Sequence, residues 1–401
     1  MRVPPALLLA LTTSRMGIVT KAQQGTSVVF DPEEGLLFER DSTFTLLFRF
    51  RMQDRASLFH TVGARTQENT SQFQIRRFRL KLEGYTLTPR LEYKVQLGLS
   101  ERDMNVGDGY SPPNAMLDAS VFYKLAPHIT IGFGQGKLPF GRQAIVSSGE
   151  MELPELPLAN SAFALDRDIG FFLVQELGPD QQHVRVHGSV SHGEGRATGG
   201  SDPGLCYTGR LEWLPLGEFT EEGDHAEGDL YREPKPKFSL AAAYSSDRNA
   251  RRARAQSGSR FPDDEGRTIG RFFIDALFKH RGWSWQSEYN QRFVDGTPAV
   301  QDTATLVWTA VNEGWGFTSQ MGRMNSERSQ VVARYSMVRY EGPAELQYSD
   351  RDEATLGYSY YLNGHRIKLQ SALTYNWLNG EIEPGKPGNL LAVMFQMEFG
   401  I

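Results

Sequence analysis

A single cysteine, Cys206, stands in 401 residues, so the chain has no internal disulfide and no paired-cysteine metal site. Its thiol reads as a small buried apolar group. Long apolar runs are missing too. No stretch reaches the roughly 20 residues a membrane-spanning helix needs, and mean hydropathy is −0.44. Gly-x-Ser-x-Gly, His-Glu-x-x-His and the phosphate-cradling Gly-Lys-Ser/Thr are all absent, which leaves catalysis without a candidate nucleophile and argues against an enzyme. The net charge of −5 excludes little, because a sum hides whether bases sit on strands and acids in loops.

What is present is alternation. Phe44, Leu46, Phe48, Phe50 and Met52 alternate with Thr45, Leu47, Arg49, Arg51 and Gln53, giving an extended chain one greasy and one largely charged face. Phe78, Leu80 and Leu82 oppose Arg77, Arg79, Lys81 and Glu83. Tyr93, Val95, Leu97 and Leu99 oppose Glu92, Lys94, Gln96 and Ser100. Arginines opposite phenylalanines suit a wall with lipid outside and water inside. Asn363-Gly364 marks a two-residue turn that would pair Tyr360 with Ile367 and Tyr358 with Leu369 on one face, and Tyr361 with Arg366 and Ser359 with Lys368 on the other.

Sixteen such segments centre near residues 48, 80, 95, 120, 131, 172, 187, 210, 242, 274, 286, 318, 334, 358, 371 and 395. An even number suits a closed transmembrane antiparallel β-barrel, the all-β fold expected here. Long connections at 54–71, 101–115, 138–166, 193–205, 248–267, 291–313, 341–352 and 378–389 alternate with mostly short turns at 86–89, 125–128, 177–182, 279–282 and 363–364. That asymmetry of outer loops and periplasmic turns is a barrel trait. The acidic turn 215–236 breaks it, with no reason legible in the sequence.

The organisation expected is a signal peptide over 1–22, read from Met1-Arg2, the apolar Ala6 to Leu11 and cleavage after Ala22, then a lead-in over 23–42 and the barrel over 43–401. Arg15 and Pro4-Pro5 interrupt that leader, so a plain disordered leader is its alternative. The inward parity carries Arg49, Arg51, Arg77, Arg79, Lys81, Lys94, Lys124, Arg185, Arg271, Arg334, Arg366 and Lys368, against Glu83, Glu92, Asp118, Asp275, Glu288 and Glu398. A lumen with excess positive charge concentrates anions; the plainer reading pairs these bases with acids across strands. Asp103-Met-Asn-Val-Gly-Asp-Gly109 lacks the glutamate an EF-hand requires, and His183 and His187 lie roughly 13 Å apart along a strand, so no metal is expected. No cofactor and no nucleic acid are called for. Trp283, Trp285, Tyr289, Tyr375 and Trp377 sit near strand ends, where aromatic rings favour the membrane interface.

Phe73-Gln-Ile-Arg-Arg-Phe78, Gly134-Gln-Gly-Lys-Leu-Pro-Phe140, Ser147-Ser148, Asp166-Arg-Asp-Ile-Gly170, Val332-Ala-Arg-Tyr-Ser336 and the run Ala354 to Gln370 follow an order that resembles the phosphate-selective porin O and P family, from about residue 35 to the end. The resemblance implies a sixteen-stranded homotrimeric porin in the outer membrane of a Gram-negative bacterium. It also implies that the third outer loop, 138–166, folds into the lumen and that basic pore residues guide anions. Glu150, Glu152 and Glu155 on that loop would repel phosphate at a constriction, so small neutral or organic solutes remain the alternative. Two other classes stay open: a secreted all-β carbohydrate-binding or structural protein, and a barrel enzyme. A soluble protein would have to bury Phe44, Phe48, Phe50, Tyr358, Leu369 and Trp377 in one core.

Overall fold

The computed structural model describes residues 18–22, 26–31, 34–62, 69–104, 114–178, 183–196, 204–379 and 388–401. Most of the expected leader, 1–17, therefore lies outside the described residues, as do parts of the loops at 63–68, 105–113, 179–182, 197–203 and 380–387.

Three short strands come first among the described residues: β1 (Ile18–Ala22), β2 (Thr26–Asp31) and β3 (Gly35–Arg40). The wall follows, from β4 (Phe44–Val62), β5 (Asn69–Thr86), β6 (Thr88–Gly98), β7 (Met116–Ala126) and β8 (Ile129–Lys137) to β9 (Arg167–Leu177), β10 (His183–Ser191), β11 (Cys206–Leu214), β12 (Lys237–Ala250), β13 (Arg267–His280) and β14 (Trp283–Asp295). A small hairpin, β15 (Ala299–Gln301) with β16 (Trp308–Ala310), sits in the next loop. The wall then resumes with β17 (Gly314–Met324), β18 (Ser329–Tyr340), β19 (Arg351–Asn363), β20 (Ile367–Leu378) and β21 (Asn389–Gly400). Each wall strand pairs antiparallel with the next, and β21 returns to β4 from Asn389↔Val62 to Gly400↔Arg51. Sixteen strands thus close an antiparallel barrel, and closure leaves no free edge for lipid to meet.

The barrel is inside-out relative to a water-soluble protein. Along β11, Thr208, Arg210 and Glu212 are buried while Tyr207, Leu211 and Trp213 are 41, 54 and 45% exposed. Apolar side chains standing outward beside buried charges make sense only with hydrocarbon outside. This excludes the secreted soluble alternative. Tyr375 and Trp377 stack with ring centroids 5.9 Å apart, and Trp283 lies under the Arg323 guanidinium. The outer face dips where Gly188 pairs directly with Gly209, between Leu173 and Tyr244.

Leu356 stands outward on β19, 56% exposed. Leu356→Arg should lower barrel stability by about 2–4 kcal/mol, the cost of a cation on the lipid face near mid-membrane. Unfolding in lipid vesicles measures it, and a change below half a kcal/mol would contradict the outward assignment.

Three local expectations need correcting. The first outer connection is not 54–71: β4 runs on to Val62 and β5 starts at Asn69, because Arg55 and Ser57 continue the buried inward parity of Gln53. A bulge between Gln53↔Arg77 and Asp54↔Ile75 turns Arg76 inward beside Arg77, against its sequence parity. The last hairpin pairs Tyr360 with Leu369, Tyr358 with Ser371 and Tyr361 with Lys368, two residues from the expected register. Its connection is longer than two residues, Gly364-His365-Arg366, with Gly364 at φ +48 and Arg366 N–H donating to Asn363 O. A slip of two keeps every side chain on its face, which is why the face assignment survives. Within the lead-in, β3 lies against the first residues of β4 (Leu36↔Phe48), past the end of β21.

Candidate functional site: the third loop and a periplasmic turn inside the barrel

The loop 138–166 runs between β8 and β9, as its sequence boundaries indicate. It carries two short helices, α1 (Arg142–Ile145) and α2 (Leu158–Phe163). Its base is apolar: Leu138, Phe140 and Leu165 pack with Phe172, Cys206, Ala243 and Phe273. Cys206 is buried there, as expected of a lone apolar thiol. Beyond the base the loop crosses to the far wall. Arg142 donates to Asp275 Oδ1 (3.1 Å), Glu212 Oε1 (2.5 Å), Ser239 Oγ (2.7 Å) and the carbonyl of Asp224 (2.9 Å). Glu288 accepts from Gln143 N–H (3.0 Å) and Asn160 Nδ2 (2.8 Å), and Ala159 N–H donates to Ser336 Oγ (3.0 Å). Lys368 Nζ donates to the carbonyls of Gly149 (2.6 Å) and Met151 (2.8 Å). Leu153 enters a pocket with Val332 and Ala372 and packs over Gly357, where a Cβ would come within 2.2 Å of the Leu153 Cδ2 methyl and push it aside.

The loop's three glutamates do not stand free in the lumen. Glu155 is gripped by Arg55 and by Arg76, whose Nη2 lies 2.6 Å from Oε1. Burial opposes its ionisation, but Arg55 and Arg76 outweigh burial and hold the carboxyl down at about 2. Glu150 lies 3.8 Å from His365. Glu152 is 1% exposed and accepts from Ser284 Oγ (2.6 Å), Gln320 Nε2 (2.6 Å) and Gln330 Nε2. The acidity that argued against anions is therefore spent on fastening the loop.

Most of the expected basic wall is paired in the same way. Arg49 and Lys81 meet Glu83 (2.8 and 2.6 Å), Arg79 meets Asp103 (2.5 Å), Lys94 meets Asp118 (3.0 Å), Lys124 meets Glu92 and Arg334 meets Glu353 (3.2 Å). Arg51 and Lys368 share Glu398, at 3.7 and 3.5 Å, and Arg185 reaches Asp224. Arg366 lies close enough to Glu150 to stabilise its charge. Two members differ. Among the described residues Arg77 and Arg271 make no ion pair, and neither does Arg292, the neighbour of Arg271 on β14. Arg77 is flanked by Arg51, Arg76 and Arg79, with one hydrogen bond to Gln53 (2.9 Å) and an unpartnered Nε.

Arg55, Arg76, Arg210 and Arg292 are wall cations that the alternation did not single out. The switch of apolar parity from Phe73 and Ile75 to Phe78 and Leu80 is the one sequence signal that marks the bulge and would have placed Arg76. The acidic turn 215–236 also acquires a place. Phe219 packs with Leu214 and Leu277, Lys279 Nζ donates to the carbonyls of Gly223 (2.6 Å) and Ala226 (2.9 Å), and Gln286 reaches Glu227 (2.9 Å). This turn rises into the lumen from the periplasmic end and meets the third loop there: Glu227 N–H donates to Glu150 O at 2.8 Å.

A family model, phosphate-selective porin O and P, matches residues 49–399. The chain belongs to that family. It is an outer-membrane porin channel. Three solved structures show the same fold. An anion-selective porin from Comamonas acidovorans is 10% identical, with 89% of this chain and 99% of that one covered at a TM-score of 0.56. The outer membrane channel DcaP of Acinetobacter baumannii is 12% identical, with 88 and 97% covered at 0.54. OmpT of Vibrio cholerae in its trimer form is 11% identical, with 88 and 99% covered at 0.51. No curated protein matches the chain.

Proposed function

We propose that this porin is a passive diffusion channel preferring small anions, phosphate among them, working as a homotrimer in the outer membrane of a Gram-negative bacterium without catalysis or cofactor. The observation that carries the anion preference is the balance of charge around the third loop: Glu155 is neutralised by two arginines while Arg77, among three further guanidiniums, has no counter-ion of its own. Such a wall lowers the entry barrier for anions and raises it for cations. The trimer form of the Vibrio cholerae relative supports the assembly. In this reading 1–22 is removed on export, which takes away β1 and leaves the β2–β3 hairpin at the barrel's foot. The basic residues paired above line the pore without setting its sign.

Planar bilayers under a potassium chloride gradient test the reading. The reversal potential should show anion preference that weakens at high salt, and added phosphate should reduce chloride current. Cation preference in the wild type would overturn it.

A further inference from the structure

Two buried carboxyls face each other where the third loop meets the periplasmic turn. Glu152 N–H donates to Glu227 Oε2 at 2.8 Å, and Glu227 N–H donates back to the carbonyl of Glu150 at 2.8 Å, a reciprocal pair of bonds joining loop to turn. The side chains share a donor as well: Gln320 Nε2 lies 2.6 Å from Glu152 Oε2 and 3.1 Å from Glu227 Oε2. Each glutamate is 1% exposed. Among the described residues no lysine, arginine or histidine forms an ion pair with either one.

The charged groups around them are occupied elsewhere. Lys279 on β13 bonds to turn carbonyls, and Lys368 on β20 bonds to loop carbonyls and lies near Glu398. His365 bonds to Glu227 O and, like the Arg142 guanidinium, approaches other acids, Glu150 in the first case and Glu212 and Asp275 in the second. Within the turn, Asp229 accepts from Glu233 and Gly282 N–H groups, Glu233 accepts from Thr220, and Asp224 pairs with Arg185 while His225 stands 3.8 Å from it. Tyr361 on β19 donates to Gln330. Two carboxylates so placed, with amide and hydroxyl donors but no cation, cannot both ionise cheaply.

We propose that the turn 215–236 is a second constriction element of the pore, clasped to the third loop by Glu152 and Glu227 through one shared proton. The proposal rests on the channel reading. Burial, and after it the Glu227 carboxylate, push the Glu152 carboxyl up to about 7. The sign follows from the raised value: the clasped state holds its proton more tightly than the released one. The clasp is therefore strongest below the ordinary glutamate range, weakens as pH climbs from there, and is weakest above about 7. Losing the proton sets two like charges together in a dry site, and the turn withdraws toward the periplasm, widening the lumen.

Two readouts separate this from the channel reading. In the full-length protein, hydrogen-exchange protection of the Glu152 and Glu227 amides, corrected for intrinsic rates, should fall at least tenfold between pH 5 and pH 9. Bilayer conductance should rise at least twofold over the same range. Glu227→Gln supplies a permanent N–H donor to Glu152, so it should hold both readouts flat, and Glu152→Gln should do the same. Protection that is unchanged in the wild type, or a pH step that persists in both variants, overturns the clasp even if the channel conducts. A fall in protection without current at any pH would support the clasp and remove the channel reading.

Discussion

Arg142→Met will cost the barrel about 3–5 kcal/mol of unfolding free energy, the usual result of removing one partner from a buried ionic cluster. Arg142 is 4% exposed and is the meeting point of Glu212 on β11, Asp275 on β13 and the Asp224 carbonyl of the periplasmic turn. Methionine fills the volume but leaves Glu212 with only the longer contacts of Arg210 (3.6 Å) and Arg185 (3.7 Å), while Asp275 keeps Arg210 alone. The loop's first helix loses its hold on the wall, so the loss should also appear as a larger and noisier single-channel conductance. Arg102→Met is the control. Arg102 touches the same loop through Glu155 at 3.6 Å, but half its side chain is exposed, and exposed pairs contribute roughly 0–1 kcal/mol. Urea unfolding of both variants in detergent, followed by tryptophan fluorescence, measures the difference. A loss under 1 kcal/mol for Arg142→Met would show that the loop is held by its apolar base at Leu138, Phe140 and Leu165 rather than by this cluster.

How far the sequence carries can be read from these same residues. Period two along β4, β5, β19 and β20 was legible because lipid and lumen each demand one chemistry at every second position, so the pattern needs no knowledge of partners. The boundaries of the third loop and of the turn 215–236 were legible for the same reason: alternation stops there. The upper half of β4 was not. Asp54, Arg55 and Ser57 read as loop polarity, yet Arg55 and Ser57 are inward wall residues on the side where the third loop's Glu155 meets the wall. Polarity marks a loop only where the strand has an apolar neighbour to contrast with it. The role of the glutamates was out of reach altogether. Glu152 meets Gln330 and Glu155 meets Arg55, partners 178 and 100 positions away, so their charge cannot be assigned to pore or scaffold until the barrel closes. The acidic turn was opaque in the same way, since Asp224 is answered by Arg185 on β10, Glu227 by Gln286 on β14 and Gln320 on β17, and the turn's carbonyls by Lys279 on β13, all distant in sequence.

Opposite changes at Arg77 and Glu155 should move ion selectivity in opposite directions. Because most wall bases are answered by acids, the sign of the field near the loop's tip depends on the few charges left over, and Arg77 is one of them. A unit charge about 8 Å from a passing ion is worth roughly 1 kcal/mol at an effective dielectric constant of about 40, between the water and protein-surface values. It acts on anion and cation with opposite sign, so Arg77→Ala should lower the anion-to-cation permeability ratio by about tenfold at 0.1 M salt, where the Debye length is about 10 Å. Glu155→Gln releases Arg55 and Arg76 from their shared carboxylate and should raise the ratio by a similar factor. At 1 M salt, with a Debye length of about 3 Å, both effects should shrink toward unity. Arg77 gives up a single hydrogen bond to Gln53, so Arg77→Ala is expected to fold and its selectivity to be measurable by reversal potential. If both variants shifted the ratio the same way, the changes would be reporting a displaced loop, and the wall's residual charge could not be what sets the preference.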